Sequence, residues 1–205
     1  MAAPLPLSPG LMALGLAAGA YLLGSIPFAL LIGRMHGVDI RQHGSGNVGA
    51  TNVVRVLGRG PGILCFVLDF LKGVIPVAAG LTLGLPIWGM ILAAAAAILG
   101  HSRSIFLKFK GGKSVATGAG TIVAMAPLAG LGALLIWGGV FSASRIVSLA
   151  SITAALSLPV LTLLTRQPLE VVAFSAAAAC YVVIRHRENI RRLREGKEPR
   201  MERKK

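Results

Sequence analysis

The stretch SVATGAGTIVAMAPLAGLGALLIWGGVF, residues 114–141, decides how many times this chain would cross a membrane. As one continuous helix, its 28 residues would be roughly 42 Å long, whereas the hydrocarbon core of a bilayer is about 30 Å thick. Pro127, Gly130 and Gly132 lie near its middle, and a proline interrupts the hydrogen bonds of a helix. We therefore predict two short helices here instead of one long helix.

The composition around this stretch is typical of an integral membrane protein. Of the 205 residues, 55% are hydrophobic and 14% are charged, and the mean hydropathy is +0.75. Further apolar runs of spanning length cover 10–33, 62–84, 86–107, 146–165 and 168–184. The first run follows MAAPLPLSPG, which lacks the basic start of a signal peptide, so we expect it to stay as a span. Cys65 and Cys180 lie inside apolar runs, and we expect both to be buried.

Basic residues predict the orientation of these spans. Of the 21 basic residues, 18 fall in three clusters at the ends of apolar runs. The clusters are Arg34, Arg41, Arg55 and Arg59; Arg103, Lys108, Lys110 and Lys113; and the tail 185–205. By the positive-inside rule, we expect all three clusters to face the cytoplasm. The net charge of the chain, +14, suits anionic lipid headgroups and anionic substrates when its basic residues are clustered in this way, and we expect no nucleic acid partner.

This orientation leads to the predicted fold. With one span before the first cluster and two before the second, the N-terminus lies outside. Because the tail also faces the cytoplasm, the chain after the second cluster must cross an even number of times. Three apolar runs remain there, so one of them, 114–141, must be split into two helices. We predict an all-α integral membrane fold of seven transmembrane helices, some short or broken, with Gly-rich cytoplasmic loops. It would form a single polytopic domain over 1–205, with a basic tail from about 185.

The loop RQHGSGNVGATNVVRVLGR, residues 41–59, has the composition of an anion site. Glycines such as Gly46 let backbone N–H groups turn toward a phosphate, and an arginine adds a planar charged fork. The polar side chains beside the membrane are Ser45, Asn47, Thr51, Asn52 and Arg55. A flexible linker would not need this density of donors, so we favour anion binding.

A dinucleotide site is excluded in this loop. Gly44, Gly46 and Gly49 match G-x-G-x-x-G, and Asp69 follows at a suitable distance. That motif requires a strand before it and a helix after it in a βαβ unit, however, and here a membrane span precedes it.

A second loop, residues 100–120, reads GHSRSIFLKFKGGKSVATGAG. Gly111, Gly112 and Lys113 precede a predicted helix, and a helix N-terminus after glycines is a common phosphate site. A nucleotide-binding P-loop is excluded, because its first glycine would fall at Leu107. We assign Lys108 and Lys110 to topology and Lys113 to substrate.

Other polar residues lie at or within the spans. His186 and Asn189 share one helical face after the last span and would lie beside the two loops. Asp69 and Lys72 are three apart and predict a buried ion pair. For Ser148 and Ser151, hydrogen bonds between helices and contact with substrate both remain open. Trp88 and Trp137 suit interfacial anchors.

Six motifs in order resemble a known family along nearly the whole chain. They are GSIPF at 24–28, GSGNVGATNVVRVLG at 44–58, LDFLKG at 68–73, KGGKSVATG at 110–118, RIVSLAS at 145–151 and RHRENIRRL at 185–193. The family is that of the bacterial acyl-phosphate:glycerol-3-phosphate acyltransferases, the PlsY family. The resemblance implies a seven-helix membrane enzyme with cytoplasmic active-site loops, which transfers an acyl group from acyl phosphate to glycerol 3-phosphate.

The resemblance also implies roles for individual residues. Ser45 and Arg55 would bind glycerol 3-phosphate, and Gly111, Gly112 and Lys113 would form a phosphate-binding loop. Three further residues would complete the pocket, namely Ser148, His186 and Asn189. Glu198 would matter for structural integrity. Two positions depart from the family pattern: Ser114 replaces a commoner glycine, and Ile146 replaces an aromatic residue.

Catalysis of this reaction mainly requires that the enzyme hold the phosphates of the two substrates and aim the hydroxyl of glycerol 3-phosphate at the acyl carbonyl group. Lys113 and Arg55 would neutralise phosphate charge and the developing oxyanion. The proton could pass to His186 or to a substrate phosphate, and the sequence leaves both open. We expect no cofactor and no metal, while membrane lipids and a soluble enzyme that makes acyl phosphate would be partners. An organophosphate or anion transporter is the alternative, but its polar groups should lie at mid-span in both halves.

Overall fold

The computed structural model describes residues 8–201, and the regular structure within them is helical. The α-helices are α1 (Pro9–Ser25), α2 (Phe28–Met35), α3 (Ala50–Leu57), α4 (Arg59–Thr82), α5 (Ile87–Ser102), α6 (Val115–Met125), α7 (Pro127–Ser144), α8 (Val147–Leu164), α9 (Leu169–Arg185) and α10 (Arg187–Arg194). Short 3-10 turns cover Ile40–Gln42 and Ile105–Leu107. The predicted all-α integral membrane fold is confirmed: within the described residues, five helical segments are long and apolar enough to cross a bilayer, and there are six if the bent pair α9 and α10 is one span.

The predicted split of 114–141 is confirmed. Helix α6 ends at Met125, Ala126 leaves the helical conformation with φ −141°, and α7 begins at Pro127. Proline is favoured at this position because the first N–H of a helix has no partner within the helix. At 11 residues, α6 is about 17 Å long and cannot cross the hydrocarbon core alone. The count of seven crossings therefore stays a prediction.

The first apolar run is not one straight helix. It ends as α1 at Ser25 and resumes as α2 at Phe28, with Ile26 and Pro27 between them. The carbonyl oxygens of Gly24 and Ile26, released at this break, accept hydrogen bonds from Lys72 Nζ at 3.0 and 2.8 Å. The break that proline imposes on α1 is thus stabilised by a cation buried in α4.

Small residues bring the spans into close contact. A Cβ atom at Gly24 of α1 would overlap the Ala97 carbonyl oxygen of α5, and one at Gly100 of α5 would overlap the Tyr21 carbonyl oxygen of α1. In a bilayer, burying an apolar side chain between helices gains little, because the lipid tails around it are equally apolar. Helices there associate instead through small residues that allow close van der Waals packing. This contact holds the end of α5, and the loop that follows it, against the break after α1.

Two side chains lie elsewhere than predicted. Cys65 is buried as expected, but Cys180 is exposed. Trp88 is half exposed at the start of α5, as an interfacial anchor would be. Trp137 instead turns inward, where its Nε1 donates to Ser151 Oγ at 3.1 Å. Ser151 thus makes the predicted hydrogen bond between helices, here α7 and α8, while contact with substrate stays open.

Candidate active site

Asn52 organises the loop between α2 and α3. Its side chain is only 1% exposed, and its Oδ1 accepts from the backbone N–H and the hydroxyl of Ser45 at 2.8 and 3.2 Å. Its Nδ2 donates to the carbonyl oxygens of Ile40 and His43. Its polar atoms are thus bonded to the loop itself, so Asn52 shapes this loop. A contact of Asn52 with substrate stays a prediction.

The same loop ends in a helix that was not predicted. Helix α3 starts after Gly49 and carries Thr51 and Arg55. Gly46 has φ +67°, which an L side chain rarely adopts, and it turns the chain between Ser45 and Asn47. Burial lowers the pKa of the Arg55 guanidinium, while Glu198 acts in the opposite direction. Arg55 keeps its charge at neutral pH and lies near the cations of the second loop.

The glycines before α6 serve close packing. A Cβ atom at Gly111 would overlap the His101 carbonyl oxygen, and one at Gly112 would overlap the His101 ring. The Gly112 N–H donates to the His101 carbonyl oxygen at 3.2 Å, and both glycine carbonyl oxygens accept from Arg185. The Gly112 N–H thus has a backbone partner, and the phosphate-binding role of this loop stays a prediction. The glycines seat the loop on the end of α5, directly before Lys113.

Ser114 explains why glycine is common at its position. Its φ is +58°, in the left-handed region that favours glycine, so a serine here carries a conformational cost. Its hydroxyl donates to the Ile98 carbonyl oxygen at 2.8 Å, and the side chain is buried. This bond offsets part of the cost and fixes the start of α6.

Lys113, Asn189 and Glu198 form the centre of a polar network. Lys113 Nζ donates to Asn189 Oδ1, and Asn189 Nδ2 donates to Glu198 Oε1 at 2.6 Å. The same Oε1 accepts from Ser148 Oγ at 2.7 Å, and Oε2 accepts from Arg192 Nε at 2.7 Å. The predicted substrate residues Ser148 and Asn189 are therefore linked through one carboxylate.

The charges in this network are unequal. Arg55, Arg185 and Arg192 lie near enough to act on Lys113, as does the Glu198 carboxylate. Burial lowers the pKa of Lys113 to about 8; Glu198 opposes this shift, and the three arginines add to it. Burial raises the pKa of Glu198, but hydrogen bonds from Asn189, Ser148 and Arg192 outweigh it and keep Glu198 ionised. Four cations facing one carboxylate leave a site that would attract an anion.

His186 lies at the bend between α9 and α10 and is only 3% exposed. Its Nδ1 lies 2.7 Å from the Val182 carbonyl oxygen, which can only accept, so the proton is assigned to Nδ1 and the lone pair to Nε2. Burial lowers the pKa of His186 to about 4. His186 is thus a neutral acceptor at physiological pH and a weak base.

An apolar cavity of about 580 Å³ opens beside this network. Ala50, Thr51, Arg59, Arg145 and Met201 line one end, and Trp137 lies along its wall. Its lining follows α8 from Val147 to Leu158, which corresponds to a depth of about 16 Å. That is close to half the thickness of a bilayer core, about 15 Å, the length that one leaflet's acyl chains fill. The cavity therefore has the length and the polarity for a long acyl chain.

The structure brings several of the predicted site residues to one end of the helices. Lys113, His186, Ser148 and Asn189 meet at the network, and Thr51 reaches the cavity. Asn52, Gly111 and Gly112 make contacts that support the loops. Arg185 and Arg192, which the sequence assigned to topology, hold the loop glycines and Glu198. The spacing of Arg192, three residues after Asn189, was the one sequence signal for its role.

Comparison with known proteins identifies the family to which the chain belongs. The sequence profile of the family described as Glycerol-3-phosphate acyltransferase matches residues 14–196. A protein of that name from Geotalea daltonii is 51% identical over 180 residues, which is 88% of this chain and 93% of the relative. Another from Acaryochloris marina is 48% identical over 204 residues, with 91% of each chain covered.

Solved structures share the fold. A crystal structure described as PlsY (YgiH), an integral membrane glycerol 3-phosphate acyltransferase, in its glycerol 3-phosphate form, matches with a TM-score of 0.89 and 45% identity, and covers 93% of this chain and 96% of its own. Its lysophosphatidic acid form matches with a TM-score of 0.87 over the same shares. By sequence and by structure, this chain belongs to the glycerol-3-phosphate acyltransferase family.

Proposed function

We propose that this chain, as a single polytopic domain, transfers a fatty acyl group from acyl phosphate to glycerol 3-phosphate. The products would be 1-acyl-glycerol 3-phosphate, a lysophosphatidic acid, and inorganic phosphate. Solved relatives are described with glycerol 3-phosphate and with lysophosphatidic acid, and we carry these two ligands over to this chain. This reaction would be the first acylation step of phospholipid synthesis.

One observation carries the proposal: a cluster of cations stands at the end of a cavity for an acyl chain. Lys113 and Arg55 lie near each other, and Thr51, one turn before Arg55, lines the cavity. An acyl phosphate combines one phosphate with one acyl chain, so both parts would be bound at once. The short loops described here contain no additional domain that would grip a nucleotide or a carrier protein.

The acceptor would bind through the loop before α3. Ser45, ordered by Asn52, and Arg55 offer a hydroxyl and a guanidinium to the phosphate of glycerol 3-phosphate. Gly46 and Asn47 shape the backbone next to Ser45. Binding the phosphate at one end would aim the far hydroxyl at the acyl carbonyl group, which is the main demand of this reaction.

In the proposed reaction, that hydroxyl oxygen attacks the acyl carbonyl carbon, and the carbonyl oxygen becomes an oxyanion. Lys113 would stabilise it together with the donor phosphate. The C–O bond to phosphate then breaks, and the electron pair leaves with the phosphate. Because the pKa of His186 is only about 4, we assign the hydroxyl proton to the leaving phosphate and give His186 Nε2 the role of orienting the hydroxyl.

We further propose the bacterial inner membrane as the location, with the N-terminus outside and the active site and C-terminus in the cytoplasm. The three basic clusters support this orientation. A soluble enzyme that makes acyl phosphate would supply the donor from that side.

Cysteine labelling of intact cells tests the orientation. With Cys65 and Cys180 replaced by alanine, a Gln42→Cys variant should resist an impermeant maleimide, whereas Leu83→Cys, between α4 and α5, should react. Both positions are exposed in the fold, so accessibility to water is comparable. Labelling of position 42 from outside would contradict the shared cytoplasmic face.

A reconstituted assay tests the reaction itself. Purified protein in lipid should form 1-acyl-glycerol 3-phosphate and inorganic phosphate from acyl phosphate and glycerol 3-phosphate, without added metal or nucleotide. Acyl-CoA should not replace the donor. Turnover with acyl-CoA that matched acyl phosphate would overturn the donor assignment. If neither donor reacted but glycerol 3-phosphate entered sealed vesicles, the transporter alternative would replace the enzyme.

A further inference from the structure

A second cavity, of about 500 Å³, lies outside the candidate active site, where α9 bends by 61° into α10. Three arginines, Arg187, Arg191 and Arg194, line it at positions i, i+4 and i+7 of one helix face. The rest of its wall is largely apolar and contains Val183, Ile184 and Ile190. The cavity thus combines a cationic side with an apolar side.

The position of this cavity along the chain matches the boundary between lipid tails and headgroups. Helix α9 is apolar up to Ile184, which is 61% exposed, and the charged sequence begins at Arg185. The Arg187 and Arg191 side chains are 82% and 69% exposed. An amphipathic helix with arginines on its polar face lies in the plane of the interface, and each basic residue there attracts anionic lipid.

Acidic residues nearby compensate only part of this charge. Glu188 lies 3.1 Å from Arg191 and 3.9 Å from Arg187, and Glu195, which also lines the cavity, lies 3.3 Å from Lys197. Arg194 adds a further positive charge to the cavity wall. A lipid phosphate could bind Arg187, Arg191 and Arg194 while its acyl chains lie along Ile184.

The opposite face of α10 belongs to the candidate active site. Asn189 accepts a hydrogen bond from Lys113, and Arg192 donates to Glu198 at 2.7 Å. Because α10 is only eight residues long and follows a bend, contacts on its outer face would help to keep Asn189 and Arg192 in place. Occupation of the outer cavity is thereby coupled to the position of Lys113.

We propose that this cavity binds the headgroup of an anionic phospholipid, and that the bound lipid raises turnover by fixing α10. The effect on turnover rests on the function proposed above, whereas the binding site does not. Each arginine near the membrane surface contributes roughly a fivefold increase in local affinity for anionic lipid. Three together would give a clear preference over a zwitterionic lipid.

The test compares three proteins in vesicles of phosphatidylcholine with increasing fractions of phosphatidylglycerol. The first is the unchanged chain, and the second is R187Q/R191Q/R194Q, which removes the cationic wall but no residue of the active-site network. The third, R103Q/K108Q/K110Q, removes the same number of exposed charges from another loop predicted to face the same side. Binding of a fluorescent phosphatidylglycerol is measured in detergent, with inorganic phosphate and phosphatidylcholine as competitors.

We expect severalfold faster turnover with phosphatidylglycerol for the unchanged chain and the loop control. The α10 variant should keep its activity in phosphatidylcholine but lose the response and bind the fluorescent lipid at least tenfold more weakly. Equal responses in all three proteins, equal loss in both variants, or displacement of the lipid by inorganic phosphate would overturn the proposal. If no protein turns over, the lipid-binding result still stands on its own, and the proposed function fails separately.

Discussion

Within residues 8–201, two groups of buried charged side chains differ in how their charges are balanced. In the first, Lys72 Nζ lies 2.8 Å from Asp69 Oδ1, donates to the carbonyl oxygens of Gly24 and Ile26, and lies 3.2 Å from His101 Nδ1. The Asp69 carboxylate balances the charge of Lys72, and the carbonyl groups at the break after α1 accept hydrogen bonds from the remaining N–H groups of the ammonium.

The second group, around Lys113, has an excess of positive charge. Arg55, Arg185 and Arg192 lie near Lys113, and the carboxylate among them is Glu198. The sequence shows ionisable residues near or within spans in both groups, and such residues are costly unless paired or functional. The balance of charge within the first group favours a structural role, and the excess of positive charge in the second supports the proposal that it binds an anion.

Breaking the first group should give the largest loss of stability. Lys72→Met would leave Asp69 buried without its partner, which costs about 3–5 kcal/mol. Thermal unfolding in detergent would measure this loss. The double variant Asp69→Leu with Lys72→Met removes both charges and should recover part of it. A single variant no less stable than the double one would contradict the structural role.

Substitutions in the second group should lower enzymatic activity more than stability. Lys113→Ala should reduce kcat by about 10²–10³-fold, since it removes a charge aimed at the developing oxyanion. The thermal unfolding temperature of this variant should change little, because the like charges of the neighbouring arginines disfavour the charged form of Lys113 in the folded state. Steady-state kinetics in vesicles would measure the effect.

Two matched variants accompany this measurement. Arg55→Ala should also abolish most turnover, while Lys108→Ala, an exposed charge in the same loop as Lys113, should do little. Equal losses for Lys108 and Lys113 would mean that these charges act through topology or lipid binding.

Glu198 connects the second group, and its neutralisation should have an intermediate effect. Glu198→Gln would weaken the bonds from Asn189, Ser148 and Arg192, because hydrogen bonds to a charged acceptor are about twice as strong as neutral ones. We expect roughly a tenfold fall in kcat and a loss of stability of about 1.5–3 kcal/mol.

The pH dependence of stability provides a check on Glu198. Its pKa lies below the unfolded value of 4.5, so its contribution is present above that pH and is lost as the pH falls through the folded pKa. The difference in stability between the unchanged chain and the Gln variant should therefore shrink in acid. A difference that stayed constant down to acid pH would show that Glu198 is not ionised in the fold.

The smallest effect concerns the alkaline side of the pH profile. Since the pKa of Lys113 is about 8, kcat/KM should fall as the pH rises through 8. A bound phosphate would hold the proton on Lys113, so kcat should fall only at higher pH.

The free energy of unfolding should change with pH in the opposite direction to activity. An unfolded lysine titrates near pH 10.5, so the folded state binds fewer protons than the unfolded state between about pH 8 and 10.5, and the protein becomes more stable as the pH rises through this range.

The variant Lys113→Arg tests this assignment, because an arginine keeps its charge throughout this range. Its residual activity should lack the step near pH 8. A step that persists in Lys113→Arg belongs to another group.

Sequence patterns predicted features that depend on nearby residues. Pro127 ends α6 because a proline acts on its own helix, and Asp69 and Lys72 pair because they lie three apart on one helix face. The six motifs likewise indicated the family. The contacts of Asn52 with Ser45 and of Gly112 with His101 were not predicted, because the same donors and glycines can either bind a ligand or support a loop.

By itself, the sequence determined that the chain lies in a membrane, that the run 114–141 breaks at Pro127, and which loops carry charge, because hydrophobic length, proline and basic clusters act locally. Only the tertiary structure decided which charges face one another. Glu198 reaches Ser148 across fifty residues, and Arg192 reaches Glu198 because the tail folds back on α10. Such contacts follow from how the helices pack, and packing depends on the fit of all their faces at once.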